Sequence, residues 1–276
     1  MPWKVIVPVL SAGVIGVTSW FAVIVVPHVR RHGVRYKKTK FIANKGNVKM
    51  IAHRGLSGLA LENSVPAFEL AGQKSYYGIE TDVHVTTDGK YIIIHDDDLV
   101  RIAGLNMVVE ETDYETLRAL RFKDVYGDSE EETTYLPSLD EYLRICKKYD
   151  KQAILELKNR MDAKDILGIA SAVEESGWLD RTTFISFSGE NLAELRKNYP
   201  TVEAQYLLED VTEENIQFMK DHRLDADLRW DCIRTRLVKR LHSEGIKVNC
   251  WTVDGRECAR LMRNCGVDFI TSNILE

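Results

Sequence analysis

From residue 48 onward, short β-branched runs take turns with amphipathic stretches, and this alternation restricts the chain to a largely parallel α/β architecture. Nine runs read as strands: 48–53, 78–85, 91–95, 152–157, 183–187, 203–207, 225–229, 247–252 and 268–271. Amphipathic stretches at 64–74, 139–148, 163–175, 190–197, 212–221, 233–243 and 256–263 read as helices. One strand pair stands apart. Only Thr86-Thr87-Asp88-Gly89-Lys90 separates 78–85 from 91–95. Asp-Gly between β runs signals a hairpin, and five residues are too few for a parallel crossover. The strand at 91–95 is therefore an antiparallel return, which leaves eight parallel strands with seven connections. That count predicts a (β/α)8 TIM barrel with an antiparallel hairpin after the second strand; an open doubly wound sheet is the competing fold. With Asp88-Gly89 as a two-residue turn, Asp82 faces His95 across the hairpin; a bulge would slip that register by one.

The chain before residue 48 has a different character. Residues 5–27 are uncharged, and as a helix these 23 residues would span ~35 Å, enough for a ~30 Å hydrocarbon core. The run is longer than a signal-peptide core and has no A-x-A-like exit, so an N-terminal transmembrane helix is expected over 1–29. Arg30, Arg31, Arg35, Lys37, Lys38 and Lys40 follow it closely, and only Lys4 precedes it. The positive-inside rule makes this a single-pass cell-membrane protein with its body in the cytoplasm. Residues 30–47 form a basic juxtamembrane linker, and 48–276 the barrel domain, with 97–135 as an insertion or lid. Eight basic residues and no acid lie in 1–45, so the rest carries −13 of the net −5. An acidic body beside a basic strip selects a membrane as partner and excludes generic nucleic-acid binding. Five scattered cysteines without a C-x-x-C pair indicate neither a zinc cluster nor a disulfide framework. The sequence does not reveal an oligomeric state.

Barrels place chemistry at the C-terminal ends of their strands. Here those ends carry His53-Arg54-Gly55, Glu80-Thr81-Asp82, His95-Asp96-Asp97, Glu156-Leu157-Lys158 and Trp251-Thr252-Val253. Glu80 and Asp82 share one strand face, as do Glu156 and Lys158. Three carboxylates directed at one small volume call for a cation, and all-oxygen ligation suits Mg2+ or Ca2+. Arg54 and Lys158 add an anion site, and His53 and His95 titrate near neutrality, as proton transfer requires. Together these groups describe metal-assisted phosphodiester cleavage. His84 shares the face of Asp82. Glu62 and Asn63 either cap the first helix or reach the substrate region, and Asp96 can orient a neighbour.

In this order the residues resemble the glycerophosphodiester phosphodiesterase family, whose signature runs H-R, E-x-D and H: here His53-Arg54, Glu80-x-Asp82 and His95. The resemblance covers 48–273. It extends to Glu62-Asn63-Ser64, Leu136-Pro137-Ser138-Leu139, Ser186-Phe187 and Gly266-Val267-Asp268-Phe269-Ile270-Thr271. It implies a barrel hydrolase that releases an alcohol and glycerol 3-phosphate from small glycerophosphodiesters. Glu80, Asp82 and Glu156 would bind one divalent cation, and His53 and His95 would form the acid/base pair. Arg54 and Lys158 would hold phosphate, and Trp251 would line the pocket. A lysophospholipase D-type activity on lysolipids is the alternative. Two stretches depart from the family pattern: Thr271-Ser272-Asn273-Ile274, where Asp and then Pro are usual, and Arg101-Ile102-Ala103, where R-T-T is usual.

Overall fold

All nine expected strands form in the computed structural model, which describes residues 36, 38–42, 46–123 and 133–276. The first part runs β1 (Lys49–Ala52), α1 (Val65–Gly72), β2 (Gly78–Val85), β3 (Tyr91–Ile93), α2 (Val100–Ala103), α3 (Tyr114–Ala119), β4 (Phe122–Lys123) and β5 (Thr133–Thr134). Regular alternation follows: α4 (Leu139–Lys148), β6 (Gln152–Leu157), α5 (Ala163–Glu175), β7 (Thr182–Ser186), α6 (Gly189–Asn198) and β8 (Glu203–Leu208). It closes with α7 (Glu213–His222), β9 (Asp225–Arg229), α8 (Thr235–Ser243), β10 (Val248–Trp251), α9 (Arg256–Cys265) and β11 (Phe269–Ser272).

Eight strands pair in parallel in the order β10-β9-β8-β7-β6-β2-β1-β11. The two ends of that sheet meet. The Asp268 N–H donates to the Val248 carbonyl at 2.8 Å, and the Val253 N–H to the Thr271 carbonyl at 3.0 Å. An open sheet would hold these edges far apart, so the chain is a TIM barrel and the doubly wound alternative is excluded. Helix starts follow their caps. Ser138 and Glu141 form a capping box at α4, Ser64 caps α1 with Pro66 in its first turn, and Thr212 caps α7. Ile51, Ile154, Ile185, Leu207 and Phe269 fill the barrel interior. A larger apolar layer packs between strands and helices.

The hairpin corrects one expectation. Val83 pairs with Ile93, His84 with Ile92 and Val85 with Tyr91, so Asp82 does not face His95. The Thr86 N–H donates to the Lys90 carbonyl at 2.9 Å, and Gly89 takes φ +72°. The turn is thus a three-residue loop with glycine in the left-handed position, one residue longer than a tight Asp-Gly turn. The slip does not carry His95 away, because β3 ends at Ile93 and the chain leaves the pleat before reaching it.

The segment between β3 and α4 is a small subdomain. Ile92, Ile94, Leu99, Leu117, Phe122 and Leu136 give it an apolar core of its own. Its two-residue strands β4 and β5 carry too little pattern to be seen in sequence. On the opposite flank, residues 40–42 run beside 274–276. The Lys40 N–H donates to the Ile274 carbonyl at 3.1 Å, and the Ile42 N–H to the Glu276 carbonyl at 2.9 Å. Among the described residues no helix is long and apolar enough to cross a membrane. The span expected over 1–29 lies outside the described residues.

Candidate active site

β2 and β6 lie side by side, with Asp82 level with Glu156 and Glu80 level with Ile154. Period-2 alternation sends Glu80, Asp82 and Glu156 into the lumen, where all three are buried. One oxygen from each lies within 4.8 Å of the others. Two cations flank the group: Lys158 Nζ sits 2.9 Å from Glu156 and 3.6 Å from Asp82, and Arg54 Nε sits 3.6 Å from Asp82.

Electrostatics divides the three acids. Burial opposes ionisation of Asp82, yet Arg54 and Lys158 outweigh it and hold this carboxyl well below the usual range. Burial and the Asp82 charge push Glu156 up to about 8, and the same two causes raise Glu80. With only protein groups present, Asp82 is therefore the most readily ionised of the three acids. Asp82 Oδ1 is buried without a hydrogen bond. A compact all-oxygen set with an unsatisfied carboxylate oxygen fits a hard divalent cation, whose charge would let the other two ionise.

The turn after β1 supplies the next groups. Arg54 has φ +53° and Gly55 +74°, and a Cβ on Gly55 would lie 2.7 Å from the Ala67 backbone. This tight turn points the Arg54 N–H at Glu80 Oε2, 2.6 Å away. The Arg54 guanidinium also meets Glu62 at 2.8 Å. His53 Nε2 approaches Glu80 to 4.0 Å, while its Nδ1 lies 2.8 Å from Asn273 Oδ1. Burial, then the Arg54 charge, lowers His53 to about 4, so the ring is neutral. His95 Nδ1 lies 2.7 Å from Asp96 Oδ1. A carboxylate only accepts, so Nδ1 donates and Nε2 is the nitrogen left free to exchange a proton with the cavity.

His53, Arg54, Glu80, His95, Glu156 and Trp251 line one open cavity. Asp82 and Lys158 join it through their contacts with Glu156. All eight expected site residues are thus brought together. Trp251 forms a wall with Phe187, their rings edge-to-face at 5.6 Å between centroids, and its indole N–H donates to the Asp227 carbonyl at 3.3 Å. His84 is not with them: it is fully buried, with Nδ1 2.9 Å from Glu110 of the subdomain.

Three residues have clearer roles here than in sequence. Asn63 is no helix cap; Ser64 is. Asn63 Nδ2 donates to Asp82 Oδ2 at 2.7 Å, and its Oδ1 accepts from Thr81 at 2.7 Å, so it fixes the Asp82 carboxylate. Glu62 links Arg54 to Arg101, which also holds Asp96. Asp227 lines the cavity from β9 with one buried oxygen lacking a hydrogen bond, and burial raises its carboxyl. The Glu62-Asn63-Ser64 tripeptide marked the first two, whereas nothing local distinguishes Asp227 from a strand-edge acid.

Residues 53–275 match the glycerophosphoryl diester phosphodiesterase family. The chain belongs to that family. It is accordingly a phosphoric diester hydrolase. A glycerophosphodiester phosphodiesterase of Bacillus altitudinis is 30% identical over 232 residues, covering 80% of this chain and 93% of the relative. The crystal structure of a Parabacteroides distasonis glycerophosphodiester phosphodiesterase has a TM-score of 0.69 and 28% identity, covering 82% of this chain and 93% of that one. An Oleispira antarctica phosphodiesterase in complex with the product sn-glycerol-3-phosphate shares the fold at TM-score 0.75 and 24% identity, over 82% and 93% of the two chains.

Proposed function

We propose that this family member hydrolyses glycerophosphodiesters to glycerol 3-phosphate and an alcohol, with Glu80, Asp82 and Glu156 holding one Mg2+ or Ca2+ ion. The carrying observation is the buried carboxylate triad, within 4.8 Å and flanked by Arg54 and Lys158 in a cavity that also receives two imidazoles. A divalent ion bound there supplies positive charge to the phosphoryl oxygens. Arg54 and Lys158 bind non-bridging oxygens of the phosphate and stabilise the charge that develops as the P–O bond breaks. His53 and His95 form the acid/base pair: the ring that enters neutral takes a proton from the nucleophile at its Nε2, and the ring that enters protonated delivers its Nε2 proton to the leaving alkoxide. Trp251 lines the alcohol side. The product-bound Oleispira antarctica relative supports the choice of substrate.

Residues 1–29 anchor the chain in the cell membrane, 30–47 form its basic linker, and the barrel of 48–276 faces the cytoplasm. The uncharged run and the basic cluster behind it support this reading. A lysophospholipase D-type reaction is the second reading. Phe187 in the cavity wall and Trp230 after β9 are 48% and 44% exposed, as an acyl chain would need.

The test is release of glycerol 3-phosphate by the purified full chain from glycerophosphocholine and other headgroups, with Mg2+, Ca2+ or chelator. Divalent-dependent release is expected. Absence of release from every headgroup with either ion would overturn the proposal. Faster turnover of lysophosphatidylcholine than of glycerophosphocholine would move the assignment to the second reading.

A further inference from the structure

His53 does not touch a carboxylate through its rear nitrogen; it touches an amide. An amide can turn either face to a ring nitrogen, so something must decide which face His53 meets. The surrounding hydrogen bonds decide it. Asp254 follows β10 and lies against the chain just after β11. Its Oδ1 receives the Asn273 backbone N–H at 2.8 Å and the Ser272 hydroxyl at 3.0 Å. The Ser272 oxygen already accepts the N–H groups of Ile274 and Leu275, so its proton is committed to Asp254. Asp254 Oδ2 is 2.7 Å from the Asn273 side chain. A carboxylate cannot donate, so Asn273 must offer its NH2 there. Its oxygen is then fixed toward His53 Nδ1, at 2.8 Å.

We infer that Asp254 is a positioning residue that sets the tautomer of His53 through the Asn273 amide. With the oxygen of Asn273 behind it, His53 carries its proton on Nδ1 and presents a bare Nε2 to the cavity. The same oxygen accepts from Nδ1 once the ring is protonated, so the arrangement serves either direction of proton transfer. A turned amide would oppose both: it would put the neutral proton on Nε2 and would set an NH2 against the imidazolium.

The hydrogen bonds dictate a test by isosteric exchange. In Asp254→Asn the backbone N–H of Asn273 still demands an oxygen, so the new NH2 faces the Asn273 side chain and forces that amide to turn. In the double variant, Asp254→Asn with Asn273→Asp, every contact is restored: the new amide donates to the carboxylate introduced at position 273, whose second oxygen accepts from His53. The full chain is labelled with 15N-histidine, and the His53 ring signals are assigned by their loss in His53→Gln. The wild type should show a protonated Nδ1 and a bare Nε2. Asp254→Asn should invert or mix the tautomers and lower kcat by about tenfold or more. The double variant should recover the wild-type tautomer and most of kcat. An unchanged tautomer or unchanged kcat in Asp254→Asn overturns the inference, and so does a double variant no better than the single, unfolded included. Should Asp254→Asn alone fail to fold, a folded double variant with a protonated Nδ1 decides in favour. The kcat comparison rests on the proposed phosphodiesterase reaction, whereas the ring signals do not. A chain without activity but with the expected tautomers would refute the reaction and leave the relay standing.

Discussion

Glu156→Gln should remove a metal ligand and yet stabilise the metal-free chain. Gln copies the protonated carboxyl, which is the form Glu156 holds at neutral pH in the absence of a cation, and its oxygen can still accept from Lys158. Burial and the Asp82 charge raise the folded-state pKa to about 8 from 4.5. With the folded state binding the extra proton, wild-type stability is fully present below about pH 4.5, falls as pH rises, and levels above about pH 8. Each pH unit in that window corresponds to about 1.4 kcal/mol, so the wild type loses about 3 kcal/mol by pH 7 and about 5 kcal/mol at the plateau. The assay is denaturant unfolding of both chains in chelator across this window. The advantage of Glu156→Gln should be near zero close to pH 4.5 and should widen as pH rises. Adding Mg2+ or Ca2+ should reverse the order, because only the wild type gains binding energy. A gap that does not change with pH, or a Gln variant less stable near pH 8, would refute the assignment of Glu156 as a carboxyl strained by burial and by Asp82.

The Glu156 proton competes with the ion: affinity for Mg2+ or Ca2+ should rise about tenfold or more per pH unit between about pH 4.5 and pH 8, measured by calorimetric titration. His53→Ala and His95→Ala should each cut kcat by about 100-fold or more, and full turnover in either variant would remove that imidazole from the chemistry. Asn63→Gly keeps the left-handed backbone (φ +51°) but frees Asp82 Oδ2. It should weaken ion binding by about 10- to 100-fold and leave kcat at saturating ion nearly intact.

The barrel was legible because its signals are local and repeated. Each parallel strand is a short apolar run followed by an amphipathic stretch, and the five residues after Val85 force the one antiparallel return. The acids were legible because Glu80/Asp82 and Glu156/Lys158 sit at i and i+2, a spacing that survives any error in strand ends. The hairpin register was not, since Asp-Gly supports both a two-residue turn and the three-residue loop found here. The strands β4 and β5 were too short to leave a pattern. Asn63, Asp96 and Asp254 act through contacts spanning 19, 1 and 19 residues. Of these only Asp96 adjoins its partner in sequence, and it alone was singled out as orienting a neighbour.

His53 stands on the first stave of the barrel, and Asn273, its partner, lies 220 positions later. A chain emerging from the ribosome therefore carries its imidazole, its acids and both cations long before that amide exists. Until synthesis has passed Asn273 the ring has nothing behind it and the sheet has no seam to close, so on the proposed mechanism a nascent or prematurely terminated chain holds the chemical groups without the means to use them. That mechanism ties hydrolytic competence to translation through residue 273.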